Sequence, residues 1–216
     1  KWRGAPQGSE VASLTDCGCY ADHGVDRHPR KAPANAHPPR TRLDDLRDLA
    51  TAVARCRHLL DLDADPSAVA EALGRDEVIG RLVRARPGLR VPGCLDGNEL
   101  VLRAVLGQHG SLRRARTRTA WLVETFGTPL DQPLGTVTHL FPAAAVLAEA
   151  DPKALTGLGT STLRALAARL ANGAIRVDAG SDPTEALTRL LAIRGIGPWT
   201  AAYVAILGPG LAMLCS

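Results

Sequence analysis

The chain has 216 residues, 45% of them apolar and 3% aromatic, which supports one large or two small domains with an ordinary core. Its five cysteines (Cys17, Cys19, Cys56, Cys94, Cys215) are odd in number and irregular in spacing, which excludes a disulfide framework. The net charge of +4 suits an anionic partner without demanding one, and no apolar run approaches the roughly 18–20 residues of a membrane span.

The N-terminus, Lys1–Glu10, is polar and lacks the charged-then-apolar layout of a signal peptide. Residues 1–40 carry no sustained period of 2 or 3.6, and Pro29 to Pro39 has turn and linker chemistry. An irregular or disordered segment is expected there. Cys17-Gly-Cys19, with His23 and His28, offers metal donors but not the CxxC spacing of a zinc site, so no metal is assigned.

From Leu43 the helical period takes over. Leu46, Leu49, Val53, Cys56 and Leu60 form one stripe of an amphipathic helix. Asp65-Pro66 is an N-cap with proline at N1, opening a helix that Gly74 can close. Asp76 to Arg84 carries Ile79, Leu82 and Val83 on one side. Arg86-Pro87-Gly88 through Val91-Pro92-Gly93 breaks the chain, and a helix from about Asn98 to Gly107 follows with Leu100, Val101, Ala104 and Val105 inward. Ser111 caps a helix reaching Phe126, with Leu112, Ala115, Thr119 and Leu122 inward. Asp151-Pro152, Ser161 and Asp182-Pro183 each open another. The last two helices, Thr184–Ile193 and Pro198–Leu207, are separated only by Arg194-Gly195-Ile196-Gly197. A mainly α body is expected from about residue 42.

The turn between those helices carries the most chemistry. Gly195 and Gly197 tolerate positive φ, Ile196 between them can plug into the core, and Pro198 suits N1 of the next helix. Bare glycines beside free helix N-terminal N–H groups make a phosphate site. The same spacing also describes a plain helical hairpin with glycine as C-cap.

Leu190-x-x-Ile193-x-Gly195-Ile196-Gly197-x-Trp199-Thr200-Ala201-x-Tyr203 resembles the helix-hairpin-helix of the DNA glycosylase superfamily, and more narrowly the 3-methyladenine DNA glycosylase II (AlkA-type) enzymes. The likeness runs back through Ala150–Gly159 and Arg164-Ala165-Leu166 to Gly93–Glu99 and Arg103–Gln108, covering roughly 43–207. It implies a mainly α, helix-hairpin-helix glycosylase fold in an incomplete form. Residues 1–40 would be the irregular segment, 41–92 a remnant of the N-terminal domain with its connecting helices, and 93–216 the glycosylase domain.

The resemblance assigns DNA phosphates to Gly195, Ile196 and Gly197, with a monovalent cation at the hairpin and no other cofactor. It implies that the damaged nucleotide is flipped out of the duplex while a side chain of Gly107-Gln108-His109-Gly110-Ser111 wedges into the stack. His109 stands where the family often has an apolar or amide wedge. Arg113, Arg114, Arg116 and Arg118 follow that loop and oppose the helix macrodipole, a local cost that DNA phosphates could offset. The family's pocket aromatics match Trp199 and Tyr203. Alkylation at a purine ring nitrogen makes the base cationic, and an electron-rich ring face attracts a cation by about 0.5–2 kcal/mol. A core Trp–Tyr pair is the plainer reading of the same spacing.

Family members that also nick the strand carry a Schiff-base lysine where Trp199 stands. Only Lys1, Lys31 and Lys153 are lysines, so water is the implied nucleophile. Its attack passes through an oxocarbenium-like state that a carboxylate stabilises. The family's aspartate lies beyond the pocket tryptophan, yet no Asp or Glu follows Glu185, and Asp178 and Asp182 lie on the wrong side of the hairpin. No catalytic residue is therefore assigned. The expectation is a chain abnormal at both ends: a base-excision enzyme of alkylated duplex DNA by lineage, with little or no excision activity. It would be a cytoplasmic, nucleoid-associated monomer without a membrane role. A non-catalytic helix-hairpin-helix DNA-binding module is the alternative, and a helical domain with no nucleic-acid role is a third.

Overall fold

The structure is a computed structural model and describes residue 43, residues 45–108, 110–178 and 180–208. Chain order is a short 3-10 turn at Leu46–Asp48, then α1 (Leu49–Leu59), α2 (Pro66–Gly74), α3 (Ile79–Ala85), α4 (Gly97–Gly107) and α5 (Leu112–Phe126). A two-stranded antiparallel hairpin follows, β1 (Thr128–Leu134) and β2 (Val137–Leu140), and then α6 (Ala144–Glu149), α7 (Thr160–Ala171), α8 (Pro183–Leu191) and α9 (Pro198–Leu207).

Asp65, Ser111 and Asp182 cap their helices as the sequence predicts, Asp96 is a cap that the sequence reading does not name, and α7 starts at Thr160 behind Gly159 where Ser161 is the expected cap. Asp65, Asp96, Ser111 and Asp182 each accept a first-turn N–H, and Pro66 and Pro183 occupy first-turn positions whose N–H would be unpaired anyway. α4 is the centre of the fold. Leu100, Val101, Leu102, Ala104, Val105 and Leu106 are all buried, so the helix is covered on nearly every side, with α5, α7 and α9 around it. Leu122, Leu147, Leu163, Leu166, Leu170, Leu190 and Val204 complete the same core. Gly97 opens α4 because a Cβ there would stand 1.8 Å from the Val177 carbonyl oxygen.

Four further expectations change. The Leu46, Leu49, Val53 and Leu60 stripe is exposed, Leu46 at 83%, because no described element lies against it. Leu112 is 66% exposed, since as the first residue of α5 it projects beyond the core's edge. Asp151-Pro152 opens a run of tight turns instead of a helix: Ala154, Thr156 and Leu158 each donate to a carbonyl three residues back, and Gly157 and Gly159 take positive φ. The β hairpin has no counterpart in the helical reading. Its register shifts between Pro129 and Leu134, and Gly127 allows the carbonyls of Val123 and Leu140 to close on it. Two prolines in β1 and only four residues in β2 hide the strand pattern. Residues 1–40, with the Cys17–His28 donors, lie outside the described residues.

Candidate nucleic-acid interface and base platform

The turn between α8 and α9 is fixed from beneath. Ile193 donates to Leu190 O and Ile196 to Ile193 O, both at 3.0 Å, and the side chains of Ile193 and Ile196 are buried in the core. Ile196 thus faces inward and sets the hairpin, as its place between the glycines predicts. The two glycines differ. Gly195 has φ +95°, and a Cβ there would stand 2.3 Å from Thr162 Oγ1, whose hydroxyl donates to Arg194 O at 3.0 Å. Intramolecular needs account for that glycine. Gly197 has φ −95° and ψ 170°, a conformation open to any residue, and nothing lies within 4 Å of a Cβ built on it. The space over Gly197 is free.

Gly197 is also the N-cap of α9, and no side chain caps it. With Pro198 at N1, the amides of Trp199 and Thr200 stand in the helix's first turn without an intrahelical acceptor, at the positive end of its dipole.

α9 has two unlike faces. Thr200, Ala201, Val204 and Ala205 are buried against the body. Trp199, Tyr203 and Ile206 look outward, Trp199 at 71% and Tyr203 at 37% exposure. The indole and phenol rings are stacked at 5.5 Å between centroids and 16° between planes. A core Trp–Tyr pair is therefore ruled out. The aromatic pair is a surface platform.

The loop after α4 reaches this region through a side-chain contact. Gln108 caps α4 and its Nε2 donates to Thr200 Oγ1 at 2.8 Å. His109 lies outside the described residues. Gly110 has φ +139°, and Ser111 Oγ accepts from Arg114 N at 3.3 Å as the cap of α5. Arg113 and Arg114 are exposed on that first turn, while Arg118 reaches back to Leu106 O at 3.4 Å.

The nearby carboxylates have structural partners. Burial works to raise the Asp178 carboxyl, but hydrogen bonds from Arg176, Ser181 and the Gly180 N–H outweigh it and hold it below its ordinary value. Asp182 caps α8, and Glu185 pairs with Arg189 at 2.5 Å. Burial, with the Asp96 and Glu99 carboxylates, pushes the Cys94 thiol up to about 12, which leaves it no nucleophile near neutral pH. Among the described residues no group of three His, Cys, Asp or Glu could hold a metal ion, and no helix is long and apolar enough to cross a membrane.

Sequence reasoning passes over Thr162 and Thr200, one supporting the turn from α7 and the other receiving Gln108. Each contact joins residues far apart in the chain; Thr200 stands in the hairpin motif without an assigned task, and nothing in the local pattern marks Thr162. An open cleft of about 670 Å³, lined among others by Ala148, Pro152, Thr160, Ser161 and Arg164, lies along α6 and α7, and its lining includes neither aromatic of the platform.

Residues 24–96 match the family described as the AlkA N-terminal domain, a match that starts upstream of residue 41. The chain is 46% identical over 170 residues to the probable bifunctional transcriptional activator/DNA repair enzyme AlkA of Mycobacterium tuberculosis, covering 78% of this chain and 34% of that protein. It is 40% identical over 164 residues to DNA-3-methyladenine glycosylase 2 of Escherichia coli K12, covering 74% of this chain and 55% of the relative. It thus spans about a third of one relative's length and about half of the other's. Among solved structures, the fold matches the 3-methyladenine DNA-glycosylase from Archaeoglobus fulgidus with a TM-score of 0.61 at 22% identity, over 80% of this chain and 60% of that one.

Proposed function

We propose that this chain, similar to AlkA and DNA-3-methyladenine glycosylase 2, is of helix-hairpin-helix DNA glycosylase lineage, recognises alkylated purines in duplex DNA and receives the extruded base on Trp199 and Tyr203. The open, stacked aromatic pair carries this reading. Indole and phenol faces attract a cationic methylpurine more than a neutral one, and stacking on an aromatic side chain is worth about 1–3 kcal/mol per base.

A backbone phosphate would sit over Gly197, taking hydrogen bonds from the first-turn amides of α9. The bare Cα of Gly197 supports this, because no internal contact requires glycine there. Arg113 would add a second phosphate contact, with Ser111 and His109 completing the loop that faces the opened stack. The cation that the family implies for the hairpin would be held by backbone carbonyls of this turn. Those of Ile193 and Arg194 each accept one hydrogen bond within the protein and keep a second lone pair. It would orient the turn and take no part in bond breaking.

In the lineage's reaction, water adds to C1′ and the N-glycosidic electron pair leaves with the purine, cancelling the positive charge of the methylated ring. The base departs neutral, so no strong general acid is needed. A carboxylate beside the oxocarbenium-like sugar would lower the barrier and take the water proton.

Two substitutions separate the parts. Gly197→Ala is expected to leave the melting temperature unchanged and to weaken duplex binding by roughly tenfold, the loss of about 1.4 kcal/mol. Unchanged affinity would defeat the phosphate site. Trp199→Ala, at an exposed position, is expected to retain affinity for undamaged duplex and to lose its preference for methylated DNA, measured by gel shift at fixed salt.

A further inference from the structure

We propose that Gln108 is a positioning residue: it clamps the loop after α4 to the base-receiving helix, so that opening of the stack and capture of the base act as one motion. The inference rests on the reading of Trp199 and Tyr203 as the base platform, and it gives Gln108 a different task from wedging into DNA. Its amide donates to Thr200 Oγ1 at 2.8 Å, bridging positions 92 residues apart in the chain. Thr200 is only 3% exposed and lies on α9 next to Trp199 and three residues before Tyr203. Gln108 itself is half-buried at the end of α4, the most deeply packed helix of the fold. A side chain sent into the duplex would abandon a nearly buried hydroxyl, an arrangement that costs more than it returns. Beyond Gln108, Gly110 takes φ +139° and Ser111 caps α5, its Oγ accepting from Arg114 N. The Gln108–Thr200 hydrogen bond thus ties the C-terminal end of α4, where this loop begins, to the platform helix.

A wedge and a clamp respond differently to the same substitutions. Methionine preserves the length and can enter a base step as apolar wedges do, yet it cannot donate to Thr200. The full 216-residue chain is mixed with a duplex carrying 2-aminopurine at the target position. Fluorescence enhancement then reports extrusion, gel shift reports affinity, and a thermal melt reports folding. Gln108→Met, Gln108→Ala and Thr200→Val are each expected to reduce the enhancement at least fivefold while affinity stays within twofold. Thr200→Ser, which keeps the hydroxyl, is expected to retain it. The Gln108→Ala/Thr200→Val double variant should fall no further than the worse single one, because both remove one interaction.

Full enhancement with Gln108→Met would make Gln108 a wedge and overturn the clamp. So would multiplying losses in the double variant, or a loss on Gln108→Ala that Thr200→Val does not share. In all of those cases base extrusion itself still stands. If the unmodified chain gives no enhancement, the platform reading fails and the clamp fails with it. If Thr200→Val does not fold, the Gln108→Met and Thr200→Ser arms still decide.

Discussion

Helices α1–α3 and helices α4–α9 are built from similar local signals and meet different fates. Both regions carry apolar stripes, acidic N-caps and proline at the first helical position. Yet no large apolar side chain of α1, α2 or α3 is buried, whereas α4 alone buries five. The difference lies in what each stripe meets. The aliphatic residues of α4 point in nearly every direction and find α5, α7 and α9; those of α1–α3 find, among the described residues, mainly one another. An amphipathic period specifies a helix and a face, and burial then depends on whether a second layer faces it.

That contrast can be broken by experiment. The largest expected effect is at α4: Leu102→Ala should cost about 2–5 kcal/mol, because the side chain is fully buried and its removal leaves a cavity. The parallel substitution in α3, Leu82→Ala, should stay within about 0.5 kcal/mol, since Leu82 is exposed. Equal losses in chemical denaturation would mean that α3 is covered after all. Smaller is the effect of removing a cap. Asp182→Ala takes the acceptor from Thr184 and Glu185 and should lower the main melting transition by about 1 kcal/mol, while Asp65→Ala should fray α2 and leave that transition in place. A common shift would show one cooperative unit, and hydrogen exchange resolved by helix would locate it.

The smallest effect is at the junction. Cys94 follows Gly93, whose N–H donates to Leu59 O at 3.0 Å and so ties the linker to α1. Burial and the Asp96 and Glu99 carboxylates raise its folded-state value to about 12 from an ordinary 9.0. The unfolded thiol therefore ionises first. The contribution of Cys94 is complete below pH about 9 and is lost as pH rises toward 12. Alkylation at pH 9, followed peptide by peptide, should be at least tenfold slower at Cys94 in the folded chain than in denatured chain. Labelling at the denatured rate would mean that the junction opens freely.

Much of the fold is legible in the sequence wherever one local signal suffices. Asp65-Pro66, Ser111 and Asp182-Pro183 mark their helices because capping involves only neighbours. The turn at 194–197 is legible for the same reason, as are the outward Trp199 and Tyr203, four residues apart on one face. What escapes depends on distant partners. Leu112 matches the helical period, but its neighbour on that side is solvent. The turns after Asp151 begin like a helix, with Asp151 Oδ1 accepting from Lys153 N, and then yield to Gly157 and Gly159 in the left-handed region. Gly195 and Gly197 look equivalent in a string of letters. Only the approach of Thr162 from α7 reveals that one serves the fold and the other leaves room above it.

The near-parallel indole and phenol have an optical consequence. With 5.5 Å between centroids, no slot exists for a planar guest between the rings, so any nucleobase must settle on an outer face. The water-exposed indole should emit toward the red end of the tryptophan range and dim when a base covers it. In a chain with Trp2 and Trp121 replaced by phenylalanine, the remaining emission would make the protein its own reporter of occupancy, readable without labelled DNA.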